Sequence, residues 1–504
     1  MTSTAPSAAP GDAQQPPADT ELTSNEQLDR ALPADPEAFG AKEQLRWFST
    51  LWVIAAAVHF TDSDPLAVLP VLALGLPVLM LPTSGLTFGV FVLGAGVNAA
   101  MSLPAAANHK ILSLFVALAF GAAALYTWVT RNRPSSQGEF VVRWLAAART
   151  PACLTLLVVY LFTVFDKLNT SFFDPATSCA GFLLDQMLDY NGILTEPGGL
   201  VVRLAAIGTV LVEATILVFL TVPKLRRWGL LLGIGFHLVL APASFWDFAT
   251  MVFALYILFI PTRVFAKLAP RTATPRLIGL AAFGLHMVLA ITVNLAGTDT
   301  SPLGLRWHTL ILLTWYIAVL PMLYTLVRGF LADRGPWPAW RLRPAVLLLI
   351  PALAIANGMA PYLGLKTVAS YSMFSNLHTE PMAANHLLPG LASLQLVPYL
   401  QDTVTITKID IRRDANSGPV AMSEWTQETP PTTVPFLELR RMVDNWRDGD
   451  PASIHLEYQR AGVPHVVQNA LTDPELSAPL PWWQQHLLAF RAISSADGPN
   501  ICRW

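Results

Sequence analysis

Several residues able to exchange protons stand in apolar surroundings: His109, Asp166, Lys167, Glu213, His237, Asp247, His286 and His308, with Asn108, Asn169 and Asn294 beside them. A titratable side chain at membrane depth is costly, so each is a candidate functional group. The residue types suit proton transfer. A lysine accepts a proton only in its neutral form, and a histidine relays one near neutral pH. Structural readings stand beside these. Asp166 and Lys167 also suit interfacial snorkelling, and His237 suits a bond to a neighbouring helix. Glu213 could pair with Arg203 or a nearby histidine and so hold helices together.

The elements that must position these residues are apolar. Of 504 residues, 53% are hydrophobic and 13% charged, against roughly 25% charged in a soluble domain. That balance excludes a soluble enzyme, a disordered protein and a nucleic-acid binder with a continuous basic face. Eleven stretches approach the ~20 apolar residues that cross a bilayer. They lie at about 46–60, 66–82, 84–102, 109–130, 150–166, 200–222, 228–242, 245–262, 277–297, 307–328 and 344–361. In the second and third, Pro70, Pro77 and Pro82 also allow a re-entrant pair.

Charge gives these stretches a direction. Loops 131–149, 223–227, 263–276 and 328–343 carry fifteen basic and two acidic residues, whereas the alternate loops carry Asp62, Asp64, Asp174, Asp185, Asp189, Glu196 and Asp299. Basic loops face the cytoplasm. Eleven crossings then leave the N-terminus cytoplasmic, the C-terminal region outside, and most of the ionisable residues near one outward-opening pocket.

The ends differ from the middle. Residues 1–45, rich in Ala, Pro and acids, read as a disordered cytoplasmic tail rather than a signal peptide. Residues 362–400 read as an extracytoplasmic connector. Within 401–504, the alternation over 404–411 predicts a strand, Phe436 to Trp446 a helix, and 454–467 a hairpin. The expected fold is an all-α polytopic membrane bundle of about eleven transmembrane helices, in the cell membrane, with a small extracytoplasmic α+β C-terminal domain.

Three motifs in this order resemble the vitamin K-dependent gamma-carboxylase superfamily, whose shared membrane unit is the HTTM domain. They are Asn108-His109 opening a span, Tyr160-Leu-Phe-Thr-Val-Phe-Asp-Lys167-Leu-Asn169 closing the next, and Gly235-Phe-His237-Leu before a short outer loop. The resemblance covers roughly residues 45–360. Tyr371-Ser-Met-Phe-Ser-Asn-Leu-His-Thr-Glu380, followed by Asn385-His-Leu-Leu388, is similar to bacterial members. The resemblance implies that Lys167 is the base toward a reduced, vitamin K-like quinone and that His109 assists. The oxygenated quinol would then take a proton from a glutamate γ-carbon, to which carbon dioxide adds, a carbon–carbon lyase type of activity. Asn108, Asp166, Asn169, Glu213 and His237 would support the site. Membrane lipid, a peptide substrate and a thiol–disulfide oxidoreductase-like protein are the partners it suggests.

The pattern also departs from that family. Asp166 stands where the carboxylase has a second lysine, and a neighbouring carboxylate favours the charged lysine, a poorer base. Too few residues follow the last stretch for the carboxylase's large lumenal portion, which disfavours protein carboxylation. Two other readings are open: a GT-C-like glycosyltransferase using Asp62 and Asp64, which could equally cap a helix, and a non-enzymatic lipid or peptide binder. Paired halves of a transporter are absent. No standard metal, thiol-redox or nucleotide motif occurs, and His378, Glu380 and His386 match no metal spacing. Cys153 reads as packing. Cys179 and Cys502 both fall outside, where a disulfide persists, and are expected to bridge the 167–199 loop to the C-terminal cap.

Overall fold

The computed structural model describes residues 35–59, 68–130, 136–193, 195–296, 306–413, 430–495 and 502. Asp62 and Asp64 lie outside them, as does the side chain of Asn294.

The first helix, α1 (Pro36–Val58), starts where Asp35 accepts the backbone N–H groups of Glu37 and Ala38, with Pro36 in the first turn. This corrects the tail boundary: 36–45 is helical, and Gly40, Ala41, Glu43, Gln44 and Leu45 are buried. There follow α2 (Val68–Met80), α3 (Gly85–Met101), α4 (Asn108–Val129), α5 (Gln137–Asp166), α6 (Cys179–Tyr190), α7 (Gly199–Thr221), α8 (Arg226–Leu240), α9 (Trp246–Phe259), α10 (Thr262–Leu268), α11 (Ala273–Ala296), α12 (Trp307–Ala332) and α13 (Leu349–Gly358). Among the described residues, five helices are long and apolar enough to cross a membrane: α4, α5, α7, α11 and α12. A sixth crossing arises if α9 and the helical stretch after it, bent by 104°, count as one span.

Burial shows why these helices suit lipid. On α7, Val202, Ala206, Ile216 and Leu220 are buried, yet the opposite stripe of Leu200, Leu204, Leu211 and Val218 is apolar and more than half exposed. A helix apolar on both faces would be unstable against water and is at home in a bilayer. By contrast α9 is buried along its length, and α1 packs along it.

The break after α9 leaves carbonyls that lipid could not satisfy. Gln44 donates to Ile257 O and Ile260 O, and Arg149 donates to the carbonyls of Leu258, Phe259 and Ile260. Pro261 turns the chain at this point.

Beyond α13 the chain enters a long irregular connector, then a five-stranded antiparallel sheet of order β4-β3-β1-β2-β5. Its strands are β1 (Thr403–Arg412), β2 (Thr432–Pro435), β3 (Ser453–Arg460), β4 (Val463–Val467) and β5 (Ser494–Ser495). Alternate residues Val404, Ile406, Ile454, Leu456 and Tyr458 bury one face against α14 (Phe436–Arg447), through Leu439, Met442, Val443 and Trp446. On α14, Glu438 and Arg441 form a fully buried pair, and Glu438 also accepts the Phe490 N–H.

The connector is buried although it lacks regular structure. Ser370, Tyr371, Ser372, Ser375, Leu377, Thr379 and Glu380 are each at most 3% exposed. Ala369, Tyr371, Phe374 and Asn376 all have positive φ, between 53° and 67°. Such left-handed residues cost energy and persist where surroundings over-determine them. Here the surroundings are on both sides. Thr367 and Val368 donate to Ala489 O in the sheet unit, while Tyr371 donates to Asn108 Oδ1 on α4.

Candidate functional site

Lys167 is the C-cap of α5 and is 6% exposed. Its ammonium donates to Glu213 Oε2 on α7 at 2.6 Å. Glu213 therefore partners Lys167, in place of the Arg203 or histidine pairing that the sequence allowed. Tyr160 lies seven residues before Lys167, two turns back on the same face of α5. Its hydroxyl is 2.7 Å from His237 Nε2 on α8 and 2.6 Å from the Tyr256 hydroxyl on α9. The two sets share α5, which carries Tyr160 in the one and ends at Lys167 in the other. A Cβ at Gly233 would meet Tyr256 Oη at 2.0 Å, so only glycine lets that hydroxyl reach Tyr160. His237 Nδ1 is buried with no partner among the described residues. Within the apolar bundle, the hydrogen bonds pair an amine with a carboxylate in one set and a phenol with an imidazole and a second phenol in the other.

Asp166 does not share this role. Consecutive helical residues point about 100° apart, and Asp166 turns to the connector, where its Oδ1 accepts the Tyr362 hydroxyl at 2.6 Å. Adjacent in sequence, Asp166 and Lys167 thus have different hydrogen-bond partners, Tyr362 and Glu213. Asn169 is fully buried and structural in its contacts: Nδ2 donates to Asp166 O and Ser375 O, and Oδ1 accepts the Phe172 N–H. Asn108 likewise holds the connector through Tyr371. His386 donates its Nε2–H to Phe165 O at 3.0 Å, closing the end of α5.

His109 joins a different group. Its Nε2 is 2.9 Å from Nδ1 of His59, which is 2.9 Å from Asp247 Oδ2. The single pocket expected around Lys167 and His109 resolves into two clusters, one on α5, α7, α8 and α9, the other at the ends of α1, α4 and α9. The sequence reading passed over His59. It ends the first apolar stretch, on the same side as His109 and Asp247, and that placement was the available signal. His59, His109 and Asp247 are the one set of His, Cys, Asp and Glu among the described residues placed to share a metal ion.

The remaining residues serve packing. His286 lies against Ile311 O and Thr314 Oγ1 on α12, and His308 against Pro242 O. Cys179 and Cys502 form a disulfide, and Cys153 is a buried free thiol. In the connector, burial would raise the Glu380 carboxyl, but the hydrogen bond and charge of His378, with Arg491 behind, outweigh it and hold Glu380 below the usual range. Burial pushes the Lys366 amine down to about 8. Burial first, and then the Asp166 carboxylate, drives the Tyr362 phenol far up and keeps it a donor. No protein-family model, curated protein or solved structure matches the chain.

Proposed function

We propose that this is an integral membrane protein whose bundle carries out proton-transfer chemistry on a quinol-type substrate drawn from the bilayer. The observation that carries the reading is the 2.6 Å contact of Lys167 with Glu213 on neighbouring helices, both buried among apolar side chains. An ion pair is expensive in such a place, and a hydrophobic pair of equal volume would hold the helices as well or better. A proton passed from Lys167 to Glu213 leaves two neutral groups. The freed amine can then take the proton of a quinol hydroxyl, breaking that O–H bond as its own N–H bond forms. His237 and Tyr160 supply hydrogen bonds alongside.

The reading draws on the Tyr160–Asn169 and Gly235–Leu238 motifs of the family resemblance, which supply Tyr160, Lys167 and His237, while His109 of the Asn108-His109 motif belongs to the other cluster. In this reading, each of the eleven apolar stretches, short helices α2, α3, α8 and α13 included, crosses or enters the bilayer. The sheet unit then lies outside the cytoplasm, where the Cys179–Cys502 disulfide persists and a thiol–disulfide oxidoreductase would form it. Purified protein in lipid nanodiscs should consume oxygen when given a reduced vitamin K-type quinol. Lys167→Ala and Glu213→Gln should each abolish the uptake, and rates equal to wild type in both would overturn the reading.

A further inference from the structure

His59, His109 and Asp247 present a problem of proton count. A ring nitrogen carries one proton or one lone pair, so a single linear hydrogen bond uses it up. His59 Nδ1 nevertheless has two partners at 2.9 Å, Asp247 Oδ2 and His109 Nε2. The third edge of the triangle, His109 Nε2 to Asp247 Oδ2, is 3.7 Å, beyond hydrogen-bond reach. No placement of protons gives each close contact its own linear bond. One cation among the three atoms satisfies them all.

The dimensions agree. A tetrahedral zinc with bonds of about 2.0–2.2 Å to nitrogen and oxygen separates its ligand atoms by about 3.3 Å. The observed edges of 2.9, 2.9 and 3.7 Å bracket that value. An ion at bonding distance from all three sits about 0.8 Å out of their plane. The donors come from three separate helix ends, so the tertiary packing and not one motif brings them together. Asp247 is already oriented: its Oδ1 accepts the Phe248 N–H, which turns Oδ2 toward the histidines. Asn108, adjacent to His109, is held by the Tyr371 N–H.

A fourth position is also at hand. Both histidines line a cavity of about 130 Å³, whose walls include Phe91, Met251, Asn98 and Ser113. At about 30 Å³ per water, it has room for a water or a small ligand group. Its remaining wall is formed by α2 and α3, whose outer residues Leu69, Leu76, Val97 and Met101 are exposed and apolar.

We propose that His59, His109 and Asp247 bind one divalent metal ion, zinc by their donor set, with a fourth position open to this cavity. Two histidines and one carboxylate with a free position make a Lewis-acid site rather than a closed structural one. The proposal is independent of the Lys167–Glu213 reading.

Full-length protein purified in detergent from zinc-supplemented medium should retain about one zinc per chain by elemental analysis. Cobalt(II) put in its place should give the intense visible absorption of a tetrahedral site. Asp247→Asn, which preserves side-chain volume, and His109→Gln should each weaken metal binding at least about tenfold. His286→Gln and Lys167→Ala should keep the metal, even if Lys167→Ala ends quinol turnover. Monodisperse wild-type protein that binds neither zinc nor cobalt would overturn the proposal. So would an unchanged cobalt spectrum in Asp247→Asn, which carries the test if His109→Gln aggregates.

Discussion

Lys167 Nζ and Glu213 Oε2 meet at 2.6 Å between α5 and α7, two helices each able to cross a bilayer alone. Removing one partner strands a buried charge, at a cost of about 3–5 kcal/mol. Lys167→Met and Glu213→Leu should therefore each lower the unfolding midpoint in detergent. The double variant Lys167→Met/Glu213→Leu should regain most of that loss while remaining inactive. A double variant no more stable than the singles would show that the two do not interact.

The disulfide joins residues 323 positions apart, so it ties the start of α6 to a residue that follows the sheet unit in the chain. A single protease site inserted near residue 417, outside the described residues, should leave the cut chain running as one species on a non-reducing gel. Reductant, or Cys502→Ser, should release two fragments. The loss of the bond should cost about 2–4 kcal/mol of stability, read as a lower thermal midpoint.

Asn376 sits at φ 55° and fastens the connector to α6, accepting the Cys179 N–H and donating to Thr177 O. Asn376→Ala strands that buried N–H, at about 1–3 kcal/mol, and keeps a Cβ in the left-handed region. Asn376→Gly should lose the same bonds yet recover about 1 kcal/mol, because glycine adopts that backbone freely. Thermal unfolding of the two variants side by side gives the comparison. Equal midpoints would place the whole cost in the hydrogen bonds.

Lys366 gives a pH signature. Its amine, bonded to Ala369 O, is held near 8 by burial, against 10.5 unperturbed. Between those values the unfolded chain binds the extra proton and the folded chain does not, so stability should climb with pH across that window. Below it, burying the charged amine is a standing cost. Lys366→Met should raise the midpoint at pH 7 and flatten the climb. An identical slope in wild type and variant would assign the climb to other groups.

The sheet unit was largely legible because local pattern decides it. The alternation over 404–411 is strand Thr403–Arg412, and the spacing of Phe436 to Trp446 is helix Phe436–Arg447. The start of α1 was legible too, in Asp35-Pro36, but composition drew the tail boundary past it. The sites were less so. Residue types marked Lys167, Glu213, His237, His109 and Asp247, yet which of them touch is settled by helix packing that leaves no trace in spacing. Asp166 and Lys167 are adjacent in the chain and part company in space because a helix rotates successive side chains apart. His59 stood in no motif and gained significance only through the approach of α4 and α9 to the end of α1.

The end of α5 carries one more consequence. Its closing carbonyls are met by residues more than two hundred positions later: His386 on Phe165, Leu387 on Leu168, and Thr170 returning the bond to Asn385. A nascent chain that has already delivered Lys167 and Glu213 into the membrane still lacks this clasp. The end of α5 therefore gains its full set of hydrogen bonds only once the connector has been made, and a ribosome-arrested chain ending before residue 385 would hold Lys167 and Glu213 without that clasp.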